Sequence, residues 1–121
     1  MYGIIATWRM ALEGISKADS MLKNNESAAD SIEEAIKAVE DFEYYKSVGY
    51  GGLPNEEMEV ELDAAFMDGD TLEFGCVGGV KDFANPVSIA RSLMHYDANN
   101  FLIGQGAEKY ASRHGFERKT M

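Results

Sequence analysis

Val60-Glu61-Leu62-Asp63-Ala64-Ala65-Phe66-Met67-Asp68-Gly69-Asp70-Thr71-Leu72-Glu73-Phe74-Gly75-Cys76 is the stretch on which the fold turns. Val60, Leu62, Ala64 and Phe66 alternate with Glu59, Glu61, Asp63 and Ala65, the period of two that a strand needs to bury one face and wet the other. Asp68-Gly69 is a turn dipeptide, because Gly adopts positive φ without a Cβ penalty. After it Leu72, Phe74 and Cys76 alternate again. These residues predict a β-hairpin over 59–78, with acids on one face and core residues on the other. A sheet this clearly patterned commits the chain to a layered α/β arrangement rather than a helical bundle.

Upstream, Tyr2-Gly3-Ile4-Ile5-Ala6-Thr7 is a short apolar run that reads as a buried strand over 2–7. Leu12, Ile15, Ala18 and Leu22 recur at helical spacing, predicting a helix that ends near Asn24-Asn25. Ser27, with Asp30 three residues on, makes a capping-box-like start. A second helix follows, with Ala28, Ile32, Ala35, Ile36, Val39 and Phe42 as its apolar stripe. Gly49, Gly51, Gly52 and Pro54 punctuate a loop between the helices and the hairpin. Downstream, Asn85-Pro86 starts a helix, Asn as cap and Pro where no amide is needed, running to about Tyr96. Asn100–Ile103 is a short strand and 105–114 a last helix, stopped by Gly115 with Phe116 folding back. The order is β, α, α, loop, β, β, α, β, α, without repeats or low-complexity segments.

Composition narrows the function classes. The chain has 121 residues, 45% apolar and 26% charged, with a mean hydropathy of -0.28, as in ordinary globular domains. The net charge is -10 and the 11 basic residues are scattered, which argues against a phosphate-tracking surface and so against nucleic acid. No apolar run approaches the roughly 20 residues that span a bilayer, and the N-terminus lacks a basic signal-like region, so a cytoplasmic protein away from membranes is expected. The single Cys76 excludes an internal disulfide and a thiolate metal site. His95 and His114 fall at helix ends with no ligand at metal spacing, so neither metal nor cofactor is expected. The glycines of 47–52 lack the strand, helix and Lys of a phosphate loop. Gly104-Gln105-Gly106 lacks the third glycine of a dinucleotide site.

Taken together the segments resemble the glycosylasparaginase and isoaspartyl-peptidase family of N-terminal-nucleophile hydrolases. Ser47-Val48-Gly49-Tyr50-Gly51-Gly52-Leu53-Pro54, then Leu62-Asp63-Ala64-Ala65-Phe66-Met67-Asp68-Gly69, follow the family pattern of serine, glycine-rich turn, proline and a Leu-Asp-Ala strand. Gly78-Gly79-Val80, Asn85–Arg91 and Leu102-Ile103-Gly104-Gln105-Gly106-Ala107 match in the same order, and Thr7-Trp8 matches at the first strand's end. The resemblance covers essentially all of residues 1–121. It implies a four-layer α-β-β-α sandwich, of which this chain would supply the N-terminal, α-subunit half. In the family the precursor cleaves itself to expose an N-terminal threonine on the β-subunit. That threonine is both nucleophile and, through its α-amine, base.

What the resemblance implies for the site is modest. The catalytic threonine is expected on a β-subunit from the same precursor, with no catalytic residue in this chain; Thr120 reads as a tail residue. Trp8 matches a tryptophan that walls the substrate pocket, and Ser47 a serine near the nucleophile. The Ser-x-Gly-Tyr-Gly-Gly form favours the glycosylasparaginase branch, acting on glycosyl-asparagine or a related small amino-acid amide, over the isoaspartyl-peptidase/L-asparaginase branch. Arg9-Met10-Ala11 departs from the usual Pro-Phe-Gly, which removes an aromatic from the sugar-side pocket. The family habit implies a dimer of αβ units, (αβ)2. Three accounts stand open: an α-subunit apart from its β-chain, a separately encoded or truncated half, or a non-catalytic binding or scaffold half-domain. The first two predict an unpaired sheet edge and an exposed apolar face.

Overall fold

A computed structural model describes all residues, 1–121. Four α-helices and three strands follow in the order α1 (Leu12–Lys23), α2 (Ala28–Glu40), β1 (Leu62–Met67), β2 (Phe74–Val80), α3 (Pro86–Leu93), β3 (Phe101–Ile103) and α4 (Gly104–Arg113), with short 3-10 turns at Arg9–Ala11 and Gly49–Gly51. The sheet order is β1-β2-β3. β1 and β2 form the expected antiparallel hairpin, and β3 joins parallel to β2, bringing Phe101 beside Cys76. The register shifts between Leu62 and Ala64, where Gly79 takes a φ of 59° and its amide donates to Asp63 Oδ1 at 2.8 Å. Such a bulge lets Leu62 and Val80 both reach the core although the alternation slips by one.

One face of the sheet is covered. Phe66, Val77 and Val80 meet Val87, Ile89, Ala90 and Leu93 of α3 and Ala107, Tyr110 and Ala111 of α4 in one apolar cluster. Helix and sheet approach so closely that a Cβ at Gly75 would strike the carbonyl of Ala90. Hence glycine stands there in an otherwise apolar strand. α1 and α2 pack on one another, and α2 leans on α3, where Arg91 pairs with Asp30 at 2.8 Å and also with Glu33.

The other face is bare. Met67, Phe74, Phe101 and Ile103 stand 57%, 46%, 57% and 66% exposed, with Ala65 between them. One three-stranded sheet and its helices are thus present, and these residues form no second sheet, so the four-layer sandwich is not formed by them.

Three expectations change. The strand expected over 2–7 is absent: residues 1–6 have no regular structure and Ile5 is 90% exposed. A strand exists only through a ladder partner, and none of the three strands lies beside this segment. α2 ends at Glu40 rather than Phe42, and α3 at Leu93 rather than Tyr96, because the chain turns there. Asn85 precedes α3, yet its side chain does not cap it. The cap comes instead from Glu40, whose carboxylate accepts the Val87 amide at 3.2 Å. Elsewhere the expected caps form: Ser27 Oγ accepts the Asp30 amide at 3.0 Å, and Gly115 follows α4 at φ 85°.

Candidate functional site

A groove of about 360 Å³ opens between the N-terminal segment and the paired helices, lined by Ile5, Ala6, Trp8, Met10, Ile15, Ile32, Ile36 and Val48 among others, with Thr7 the one polar contributor. Trp8 closes the extended N-terminus, its carbonyl accepting the Ala11 amide at 3.0 Å to begin the 3-10 turn. Its indole is 54% exposed, half in the groove wall and half in solvent. Ser47 is exposed and directly precedes Val48, which lines the same groove. Of the two residues singled out in the sequence, Trp8 lines the groove and Ser47 does not, only its neighbour Val48 reaching it. Met10 also lines it, while Arg9 contributes to a shallower hollow outside.

The turn carrying Ser47 is built by close backbone packing. Gly49 is buried with φ 65°, and a Cβ there would overlap the backbone of Glu40; one at Gly51 would overlap the carbonyl of Glu43. Gly52 donates to Gly49 O at 2.9 Å and Leu53 to Lys46 O at 3.0 Å, closing the turn. Lys119 of the C-terminal tail reaches over the Tyr50 ring at 4.0 Å, a cation–π contact, while its own amide donates to Asp82 O at 2.9 Å. The tail thus lies against the turn.

Behind the turn sits Glu40, 2% exposed. It accepts from Val87 N and Asn85 Nδ2, each at 3.2 Å, and Asn85 Nδ2 also donates to Asp41 Oδ1 at 2.8 Å. Burial pushes its carboxyl up to about 7, against the pull of the Asn85 and Val87 donors. Sequence reasoning missed it. Glu40 falls between Val39 and Phe42 but off the apolar stripe of the second helix, where an acid reads as part of a solvated face. Only the arrival of α3 above it buries the side chain.

The remaining candidates serve the fold. His114 stacks on Tyr110 with ring centroids 4.0 Å apart, and His95 lies 3.6 Å from Glu73 on the surface. Ser88 donates to Glu33 Oε1 at 2.5 Å, Ser92 to Ile89 O at 2.7 Å, and Thr71 Oγ1 accepts the Glu73 amide at 3.2 Å. None of these lines the groove. Thr120 is exposed in the tail, Cys76 lies on the second strand, and no group of three His, Cys, Asp or Glu is arranged to hold a metal ion.

Known proteins resemble this chain throughout its length. The profile of a family described as asparaginase matches residues 5–121. An N(4)-(β-N-acetylglucosaminyl)-L-asparaginase of Elizabethkingia miricola is 33% identical over 118 residues, 98% of this chain and 34% of that protein. An isoaspartyl peptidase/L-asparaginase of Rattus norvegicus is 40% identical over 107 residues, 85% of this chain and 32% of that protein. A plant-type L-asparaginase of Thermococcus kodakarensis is 39% identical over 114 residues, 94% of this chain and 33% of that protein. The chain spans about a third of the length of the curated relatives it matches. With a groove flanked by the Trp8 segment and the Ser47 turn, and with this similarity along its whole length, the chain belongs to the asparaginase family, the amidohydrolases that include glycosylasparaginases, isoaspartyl peptidases and L-asparaginases.

Proposed function

We propose that residues 1–121 are the α-subunit half of a self-processed threonine amidohydrolase that cleaves the side-chain amide of asparagine or glycosyl-asparagine and releases aspartate. The observation that carries this reading is the bare sheet face formed by Met67, Phe74, Phe101 and Ile103. A contiguous apolar face on a twisted sheet packs stably against a second sheet about 10 Å away, and the relatives are about three times as long as this chain. The β-subunit of the same precursor supplies that sheet and completes a four-layer α-β-β-α sandwich, two αβ units then pairing as a dimer.

In this reading the chemistry starts outside the residues described. The β-subunit's N-terminal threonine attacks the amide carbonyl while its own α-amine takes the hydroxyl proton. The α-ammonium returns that proton to the leaving nitrogen as the C–N bond breaks, and water then hydrolyses the threonine ester, releasing aspartate and restoring the hydroxyl. This chain contributes the wall: the Trp8 indole against the substrate and the Ser47 hydroxyl at the rim beside the nucleophile. The Ser47–Gly52 form favours the glycosylasparaginase branch. Met10 in the groove, where the family has an aromatic, favours the alternative, a β-aspartyl peptidase or L-asparaginase with a smaller leaving group.

The test begins with protein expressed from its complete reading frame. Intact mass and N-terminal sequencing are expected to show a second fragment that begins with threonine. A single unprocessed chain that never yields such a fragment would leave the binding or scaffold reading in its place. N-acetylglucosaminyl-asparagine and a β-aspartyl dipeptide are then offered side by side; aspartate released only from the dipeptide overturns the preferred branch. Trp8→Ala is expected to raise KM up to about ten-fold, as loss of an aromatic contact with the substrate does, while the subunits still co-purify. Failure of the subunits to associate would make Trp8 a structural residue.

A further inference from the structure

We propose that Glu40 is the positioning residue for the Ser47 turn, fixing that rim of the groove relative to α3. The inference rests on the reading of Ser47 as a pocket residue and adds to it the group that holds it in place. Burying a carboxylate costs free energy unless donors surround it, so its place at 2% exposure calls for a reason. Capping α3 alone is not that reason. Asn85 already stands before α3, and Asn is among the best N-cap residues, yet its side chain turns away to Glu40 and Asp41. The first turn of α3 instead grips Glu40 through Val87 N. What that grip fixes is the backbone at the end of α2, and this is the surface on which Gly49 lies with no room for a Cβ. Ser47 and Val48 are the two residues immediately before that contact. The sequence of contacts is therefore α3 first turn, Glu40 carboxylate, Glu40 backbone, Gly49, Ser47 rim. Lys119 over Tyr50 is a second contact on the turn, made from the C-terminal tail.

The experiment is a double-mutant cycle on the protein expressed from its complete reading frame. Its variants are Glu40→Gln, Ser47→Ala and the pair, with kcat and KM measured on the substrate the wild type hydrolyses. Glu40→Gln keeps an acceptor for Val87 N but sets an amide against Asn85, and is expected to lower kcat/KM about ten-fold by displacing the rim. In the Ser47→Ala background the same change is expected to cost less than about two-fold, because the group being positioned is gone. Equal losses in both backgrounds, or no loss in either, overturn the proposal while leaving the pocket reading intact. Ser47→Ala without effect on kcat or KM sinks the pocket reading and this inference with it. If Glu40→Gln does not fold, Asn85→Ala, which frees one Glu40 oxygen and keeps the Val87 bond, takes its place in the cycle. About three-fold loss with the same non-additivity is then expected, and additivity overturns the proposal.

Discussion

At Gly49 a φ of 65° and the neighbouring Glu40 backbone leave room for a hydrogen and nothing larger. Gly49→Ala is therefore expected to cost about 3 kcal/mol or more, combining left-handed strain with a backbone displacement, read as a fall in urea midpoint at unchanged slope. Glu40 gives the residue scale its pH signature. Its folded carboxyl titrates at about 7 against an ordinary 4.5, so the folded state holds a proton that the unfolded chain has released. The stability this group contributes is full below pH 4.5, falls as pH rises through 7, and is then level; the swing is on the order of 3 kcal/mol. Melting temperatures of wild type against Glu40→Gln from pH 4.5 to 8 should show the wild-type decline flattened in the variant. Asp19, Asp30 and Glu34 act with the opposite sign. Tyr2 hydrogen-bonds Asp19, Arg91 Asp30 and Lys17 Glu34, holding each carboxyl below its ordinary value, so their contributions are lost on acidification. The two limbs thus occupy different pH windows.

At the scale of elements, α2 depends on its first turn. Ser27→Ala removes the acceptor for the Asp30 amide and is expected to cost about 1 kcal/mol in urea unfolding. This helix also shows what was legible in advance. Its cap, its stripe and its partner α1 follow from local spacing, as do the start of α3 at Asn85-Pro86, the stop at Gly115 and the existence of the hairpin. The facing of the hairpin's second strand does not: Gly75 and Val77 are buried and Phe74 of the expected alternation is exposed. Local pattern fails where an element depends on something distant. The run 2–7 has the composition of a strand, but a ladder needs a second strand beside it. The cap of α3 is not its own Asn85 because Glu40, 45 residues away from it by number, draws that side chain off. The candidate site divides the same way. Trp8 and Ser47 stood out through motif resemblance, whereas Glu40 and Lys119 gain their places only when helix and tail close around the turn.

For the molecule as a whole, the sheet has one packed face and one bare face. A polypeptide of these 121 residues made alone is expected to bind a hydrophobic dye such as ANS and to self-associate in sedimentation. Met67→Lys with Phe101→Lys should lower both signals without loss of helical circular dichroism, since neither side chain belongs to the packed cluster. Unchanged dye binding in that variant would move the sticky surface elsewhere, the Trp8 groove being the next candidate. No helix is long and apolar enough to cross a membrane. The parallel strand β3 carries a further consequence, one of timing. The β1–β2 hairpin closes through a short local turn and can form within about 10 microseconds. The pairing of Cys76 with Phe101 must wait for all of α3 to be laid down between them. At about 5–20 residues per second on the ribosome, that interval is on the order of seconds, during which β2 presents an open edge to every other nascent chain in reach.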